Sequence, residues 1–108
     1  MPNRIEKVSN RIKELSAGWL ERENNRTSLI TVTSVDISPD LKRGTIFISV
    51  LPEDKERGAL GFAKRKRGEL RVYLKENLEI KNIPFIDIEL DKGEKNRQKI
   101  EELLSQVK

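Results

Sequence analysis

The sequence contains no cysteine and no histidine. Without cysteine there are no disulfide bonds, thiolate nucleophiles or cysteine-based metal sites. Without histidine the chain lacks the commonest general base and the commonest metal ligand of proteins. Zinc sites, Ser-His-Asp triads and Cys-His pairs are therefore excluded. We expect a protein that is not an enzyme and that needs no cofactor, no metal and no small-molecule substrate.

Long hydrophobic runs are also missing. No apolar stretch approaches the roughly 20 residues that cross a bilayer, and residues 1–13 are too polar for a secretory signal. We therefore expect a cytoplasmic protein. A first helix rich in basic residues could still lie on a membrane surface, but Glu6, Glu14, Glu21 and Glu23 would repel anionic lipids. No membrane partner is expected.

Charge dominates the composition. Charged residues make up 37% of the chain, and 22 lysines and arginines outnumber 18 acidic residues, which gives a net charge of +4. A basic balance favours a polyanionic partner such as nucleic acid. The 108 residues suffice for one modest hydrophobic core. We expect residues 1–108 to form a single RNA-binding domain that is a monomer when free.

Apolar periodicity predicts the N-terminal half. A helix is expected from Asn3, which can cap it, to about Arg22, because its apolar residues recur at steps of three and four. Those residues are Ile5, Val8, Ile12, Leu15 and Trp19. Strands are expected over residues 29–38 and 44–51, joined as an antiparallel hairpin. The apolar phase changes within the first strand, so either both faces are partly covered or a bulge near Thr33-Ser34 corrects the register.

The C-terminal half reads as two helices, a strand and a helix. A short, weak helix is predicted to end near Lys66-Arg67, with Gly68 as a break or kink before a firmer helix over residues 69–77. Strict alternation predicts a third strand over residues 85–90. A closing helix is predicted over residues 94–107. The class is α+β, in the order α-β-β-α-α-β-α.

The strongest functional signal is a run of cations at the predicted break between the two middle helices. Clustered cations beside a helix N-terminus are typical of a phosphate site. A solvated charged face is the alternative, but four consecutive cations repel one another and only Glu69 lies close in sequence to offset them. We favour RNA binding by these residues: Lys64, Arg65, Lys66, Arg67, Gly68, Arg71 and Lys75.

Two weaker basic groups extend the candidate site. Arg4, Lys7 and Arg11 are spaced by three and four on the first helix, although a solvated helix face explains them equally well. Lys42 and Arg43 at the hairpin turn either continue a phosphate track or protect a sheet edge. Both groups are included in the predicted RNA-binding set.

Aromatic residues make up only 5% of the chain. Trp19 and Tyr73 fall on apolar helical stripes, so both are expected to pack in the core. The predicted sheet then offers no obvious aromatic platform, which disfavours recognition by base stacking. Recognition of the backbone and shape of folded RNA fits better.

A threonine-rich strand is followed by the stretch Val35-Asp36-Ile37-Ser38-Pro39-Asp40-Leu41. Further distinctive pieces are the opening Arg4-Ile5 helix, the strand 45–51, Gly68-Glu69-Leu70-Arg71, Ile83-Pro84, Asp91 and the ending Ile100-Glu101-Glu102-Leu103-Leu104. With these pieces the chain resembles the ribosome-binding factor A family over nearly its whole length, and the stretch after the strand is the most specific of them.

That resemblance implies a KH-like type II fold, α-β-β-α-kink-α-β, with a three-stranded sheet. In the family an interhelical kink, usually Ala-x-Gly, replaces the KH GxxG loop. Here Lys66-Arg67-Gly68 occupies that place, so the glycine is kept and the alanine is replaced by lysine. The implied function is binding to the immature small (30S) ribosomal subunit and its 16S rRNA, with a role in late 16S rRNA maturation.

Two other function classes are compatible with parts of the sequence. A protein-interaction adaptor would use the sheet edge or the last helix, although low aromatic content counts mildly against a large interface. A carboxylate-only, metal-dependent nuclease would need clustered, buried acids. The acidic pair Asp87 and Glu89 lies on the polar face of a strand, where we interpret it as charge balance that aids solubility.

Overall fold

A computed structural model of the chain describes residues 4–24 and 28–93. Its elements follow the order α-β-β-α-α-β, which confirms the predicted order over these residues. They are α1 (Arg4–Glu23), β1 (Leu29–Ile37), β2 (Arg43–Leu51), a single 3₁₀ turn (Glu53–Lys55), α2 (Glu56–Arg65), α3 (Arg67–Asn77) and β3 (Phe85–Leu90). The predicted cap at Asn3 and the predicted helix over residues 94–107 lie outside the described residues.

The three strands form one sheet in the order β1-β2-β3. β1 and β2 are antiparallel, as predicted for a hairpin, and their register shifts between Val32 and Ser34. Of the two alternatives for the change of phase in β1, the bulge near Thr33-Ser34 is the one that the structure shows. It returns the apolar residues of β1 to one face, because Val32 pairs with Ile48 before the shift and Val35 pairs with Ile46 after it.

β3 runs parallel to β2, with Ile46 opposite Ile88. A parallel neighbour cannot be reached by a tight turn. Residues 52–84, which carry α2 and α3, make the crossover. The alternation in the sequence predicts β3 but not its direction.

One face of the sheet and the inner sides of the helices form the core. α1 packs on β1 and α3, while α2 and α3 contact β3. The side chains of Ile12, Ile46, Ile48, Leu70, Leu74 and Ile88 are fully buried there. Burying one side chain of this size stabilises the fold by roughly 1.5–3 kcal/mol. The opposite face of the sheet, here called the open face, carries Thr31, Thr45, Phe47, Asp87 and Glu89 by alternation.

The break between the middle helices lies at Lys66, which confirms the predicted helix end near Lys66-Arg67, but Gly68 does not form the break. Lys66 has φ −93° and ψ 2° and ends α2, while α3 begins at Arg67. Its backbone N–H donates to the carbonyl oxygens of Phe62 and Ala63, a tightened last turn. Gly68 lies inside α3 without positive φ, and an added Cβ would meet nothing within 4 Å.

The turn between β1 and β2 is held by side chains. The Ser38 hydroxyl donates to Asp40 Oδ1 at 2.6 Å, and the Lys42 backbone N–H donates to the same oxygen at 3.0 Å. These hydrogen bonds, the Ser38 one first, lower the pKa of the Asp40 carboxyl. Leu41 adopts φ 61°, the left-handed region in which a branched side chain is uncommon. The turn therefore presents Lys42 and Arg43 in a defined place.

Candidate nucleic-acid interface

The cations at the helix break are bound to the outer strand of the sheet. Lys64 Nζ lies 3.2 Å from Asp87 Oδ1 and 3.0 Å from Glu89 Oε1. Arg67 Nη1 lies 2.8 Å from Asp87 Oδ1. All four side chains are partly exposed. The interpretation of Asp87 and Glu89 as general charge balance is corrected here, because both neutralise specific cations of the predicted RNA site.

These contacts shift the ionisation of both partners. The hydrogen bond to Glu89, followed by that to Asp87, raises the pKa of Lys64 despite partial burial. For Asp87, burial alone would raise the pKa. Hydrogen bonds from the Ile88 backbone N–H, Lys64 and Arg67 outweigh it, so the pKa of Asp87 lies below its ordinary value. Both groups are therefore held in their charged forms.

The remaining cations near the break have other roles. Lys66 is half-buried, and its Nζ lies 3.3 Å from Glu69 Oε2. Arg65 is exposed and lines a small depression with Lys55 and Phe62. Lys75 is exposed on α3. Because the chain turns at Lys66, Lys64 of α2 does not lie on one continuous helix with Arg71 and Lys75 of α3.

A second site brings together residues from separate basic groups of the sequence. Arg4 of α1, Lys42 of the hairpin turn, Arg71 of α3 and Lys81 of the α3–β3 connection line a depression of about 610 Å³. We call it the basic depression, and Phe85 at the start of β3 also lines it. Its volume lies within the range of small-ligand sites. Its charge favours an anionic ligand.

Two hydrogen bonds fix the walls of the basic depression. Arg71 Nη2 donates to the Ile83 carbonyl oxygen at 3.0 Å, which ties the connection before β3 to α3. The Phe85 backbone N–H donates to the Lys42 carbonyl oxygen at 2.8 Å, which ties the start of β3 to the hairpin turn. The site is thus built where three elements meet.

Other predicted site residues lie apart from the basic depression. Lys7 and Arg11 are exposed on α1, and Arg11 Nη1 lies 3.3 Å from Glu14 Oε2. Arg43 is exposed at the start of β2, directly opposite Phe85 in the parallel register. The structure therefore places Lys64 and Arg67 in ion pairs with β3 and Arg4, Lys42 and Arg71 around the basic depression, while the other predicted cations lie elsewhere on the surface.

Sequence reasoning missed two members of this site. Lys81 stands alone in a connection, and its only signal was its position shortly before Ile83-Pro84. Phe85 counts in the sequence as one more strand aromatic, yet its side chain is 62% exposed. Phe85 is thus an exposed ring on a sheet for which no obvious aromatic platform was expected.

Within residues 4–24 and 28–93 the structure places no cluster of three or more carboxylates that could hold a metal ion. Over the same ranges, no helix has the length and apolar character needed to cross a membrane.

Comparison with known proteins agrees with the sequence resemblance. The family model for ribosome-binding factor A matches residues 4–104. The ribosome-binding factor A of Natranaerobius thermophilus is 30% identical over 107 residues, which cover 96% of this chain and 82% of that protein. The ribosome-binding factor A of Leifsonia xyli subsp. xyli is 32% identical over 110 residues, covering 99% of this chain and 78% of that protein.

Solved structures share the fold. The crystal structure of ribosome-binding factor A from Thermus thermophilus superposes with a TM-score of 0.73 at 19% identity, covering 82% of this chain and 97% of that one. The solution structure of a Thermotoga maritima protein described as a putative ribosome binding factor A gives a TM-score of 0.64 at 21% identity, with coverage of 77% and 82%. The α+β class and the KH-like arrangement of helices around a three-stranded sheet are confirmed.

Proposed function

Because the chain belongs to the ribosome-binding factor A family, we infer that it binds the immature small (30S) ribosomal subunit through 16S rRNA and supports late 16S rRNA maturation. The observation that carries this proposal is the family match over residues 4–104. A homology model of the Thermus thermophilus ribosome binding factor A, fitted into a cryo-EM map of a 30S–RbfA complex, has a TM-score of 0.72 to this chain at 19% identity. It supports the choice of partner.

The proposed mechanism is electrostatic positioning on folded RNA. Arg4, Lys42 and Lys81 have no ion-pair partner among the described residues, so they are available to phosphates. Lys64 and Arg67 contribute less, because the carboxylates of Asp87 and Glu89 already pair with them. If four or five basic side chains around the depression each contact a phosphate and displace a counterion, the logarithm of the association constant K falls with log salt at a slope of about −4.

We further propose that residues 1–108 act as one RNA-binding domain. It would work as a cytoplasmic monomer, without catalysing a reaction itself. Its basic side chains meet phosphates, so base contacts would be few, and the shape of the RNA and its neighbours on the particle would supply most of the specificity.

The test is binding to purified small subunits across a salt series, measured by co-sedimentation. We expect steep salt dependence for the wild type and at least tenfold weaker binding for a Lys42→Glu/Lys81→Glu variant. A Lys13→Glu/Arg57→Glu variant carries the same charge change at exposed positions of α1 and α2. Its affinity for small subunits should fall clearly less than that of the Lys42→Glu/Lys81→Glu variant. Equal losses in both variants, or wild-type binding that ignores salt, would contradict the proposed mechanism.

A protein-interaction adaptor remains the second candidate, and one observation favours it. Leu29 and Leu51 lie opposite each other at one end of the hairpin and are 61% and 51% exposed. Two adjacent exposed leucines are typical of a small protein contact. We expect a Leu29→Ser/Leu51→Ser variant to bind small subunits more weakly if this role is correct. The binding that it retains should then show the same slope of log K against log salt as the wild type.

A further inference from the structure

The Phe85 side chain is an exposed aromatic ring among cations. It is 62% exposed, although the next residue in the strand, Ile86, is almost fully buried. Alternation along β3 explains this, because Ile86 faces the helices and Phe85 faces the other way. An exposed ring contributes little to the core, so burial does not account for a phenylalanine here.

The surroundings of this ring are positively charged. Arg4, Lys42, Arg71 and Lys81 line the same depression as Phe85, and Arg43 is its register partner on β2. Among the described residues that line the depression, Asp40 is the one carboxylate, and its Oδ1 already accepts hydrogen bonds from the Ser38 hydroxyl and the Lys42 backbone N–H. The field around the ring therefore favours a polyanion over a neutral protein surface.

A ring beside several cations matches the chemistry of a nucleotide. The flat apolar face stacks on a base, while ammonium and guanidinium groups meet the phosphates on either side. A base that is paired within a helix already stacks on its neighbours, so only an unpaired base offers its face to a side chain. The depression is thus suited to a loop, bulge or single-stranded end.

We propose that the basic depression binds one unpaired nucleotide of RNA, with its base stacked on Phe85 and its flanking phosphates bound by Arg4, Lys42 and Lys81. This inference rests on the proposed function for the identity of the RNA, and it adds a stacking site to electrostatic positioning. The hydrogen bond from the Phe85 backbone N–H to the Lys42 carbonyl oxygen holds the two main chains side by side, so both side chains extend from the same edge of the depression.

The test uses a fluorescently labelled oligouridylate and an RNA hairpin whose nucleotides are nearly all paired. Phe85→Leu keeps an apolar side chain but removes the aromatic face. It should weaken oligouridylate binding roughly five- to hundredfold, the range for loss of one stacked base, and hairpin binding by less than twofold. Phe85→Tyr keeps an aromatic face, so this variant should retain most of the wild-type affinity for oligouridylate. Val72→Ala removes another exposed apolar side chain, on α3, and serves as the matched control.

A direct readout of stacking comes from Phe85→Trp. The indole should be quenched on addition of oligouridylate, and the quenching should disappear at high salt together with binding. Trp19 is 5% exposed in the core, so it gives a steady background. If the substitution only perturbed the folded structure, the indole fluorescence would not change when RNA is added.

The outcomes separate this inference from the proposed function. If the wild type binds small subunits and Phe85→Leu matches it on oligouridylate, the nucleotide site is wrong while the family function stands. If Phe85→Leu weakens subunit binding but the wild type does not bind oligouridylate, the ring contacts a protein and the inference is likewise overturned. If the wild type fails on small subunits yet shows Phe85-dependent oligouridylate binding, the site stands and the proposed function fails.

Discussion

Arg67 donates a hydrogen bond to the Asp87 carboxylate at 2.8 Å, and this contact joins the first turn of α3 to the edge strand of the sheet. Lys64, from the other side of the helix break, reaches the same carboxylate oxygen at 3.2 Å. One aspartate thus holds the ends of two helices at the point where their direction changes. The strongest basic run in the sequence has a structural task, which reduces its availability to RNA.

The ion pair between Lys64 and Asp87 should be measurable as a coupling energy. In a double-mutant cycle with Lys64→Met and Asp87→Asn, we expect a coupling of about 0.5–1 kcal/mol in the free energy of unfolding, the range for partly exposed pairs. Urea unfolding at pH 7 is the measurement. A cycle of Lys75→Met with Asp87→Asn is the control, because Lys75 lies outside the network. Equal coupling in the two cycles would show that Lys64 and Asp87 do not interact specifically.

The lowered pKa of Asp87 predicts a loss of stability in acid. A carboxyl whose pKa is lower in the folded than in the unfolded state stabilises the fold fully above the ordinary range near pH 4, and this contribution disappears as the pH falls through the lowered value. Asp87→Asn should therefore narrow the difference in unfolding free energy between pH 7 and pH 3. Asp36→Asn, at an exposed position of β1, is the charge-matched control. If the unfolding free energy of Asp87→Asn differs between pH 7 and pH 3 by as much as that of the wild type, the lowered pKa of Asp87 does not contribute to the loss of stability in acid.

Neutralised and open cations should differ in their effect on RNA binding. Arg4→Met should make the slope of log K against log salt less steep by about 0.9, the value for one lost phosphate contact. Lys64→Met should change the slope by less than half of that, because Asp87 and Glu89 already occupy its ammonium group. Binding to small subunits at four salt concentrations measures both. Similar changes in the two variants would mean that the ion pairs open when RNA binds.

Two glycines should respond to alanine in opposite directions. A Cβ on Gly44 would lie 2.6 Å from Ile37 Cδ1 and 3.3 Å from Ile86 Cδ1, so Gly44→Ala should cost about 1–3 kcal/mol through overpacking. A Cβ on Gly58 meets nothing within 4 Å, and Gly58→Ala in α2 should gain about 0.5 kcal/mol. Thermal and urea unfolding of both variants measure these changes in the free energy of unfolding. Destabilisation by Gly58→Ala would point to a packing role that the structure does not display.

The predicted elements followed from local patterns. The helical stripe ending at Trp19 and the alternation of β2 and β3 report burial directly, because each buried face repeats at the period of its own element. The change of phase between Val32 and Val35 allowed either a bulge or partial cover on both faces, and the register of β1 with β2 shows the bulge. The end of α2 near Lys66 was predicted, but the break itself was assigned to Gly68 because glycine is a weak helix former, whereas the chain turns at Lys66.

The site was harder to predict because it depends on contacts between distant segments. The pairing of Lys64 with Asp87 joins α2 to β3, and nothing local marks a carboxylate on a strand as a partner for a helix cation. The basic depression likewise collects Arg4, Lys42 and Lys81 from three regions of the chain. Composition indicated a polyanionic partner, but only the crossover of residues 52–84 determines which cations stay open.

That crossover also has a consequence for the order of folding. The β1–β2 hairpin closes a short loop, whereas the parallel β2–β3 pair must close a loop over residues 52–84, which costs more chain entropy and forms more slowly. During synthesis Asp87 and Glu89 leave the ribosome only after α2 and α3 have emerged. In a nascent chain Lys64 and Arg67 therefore have no carboxylate partner on β3 until that strand docks. We expect the incomplete chain to bind RNA more strongly through these two side chains than the folded protein does.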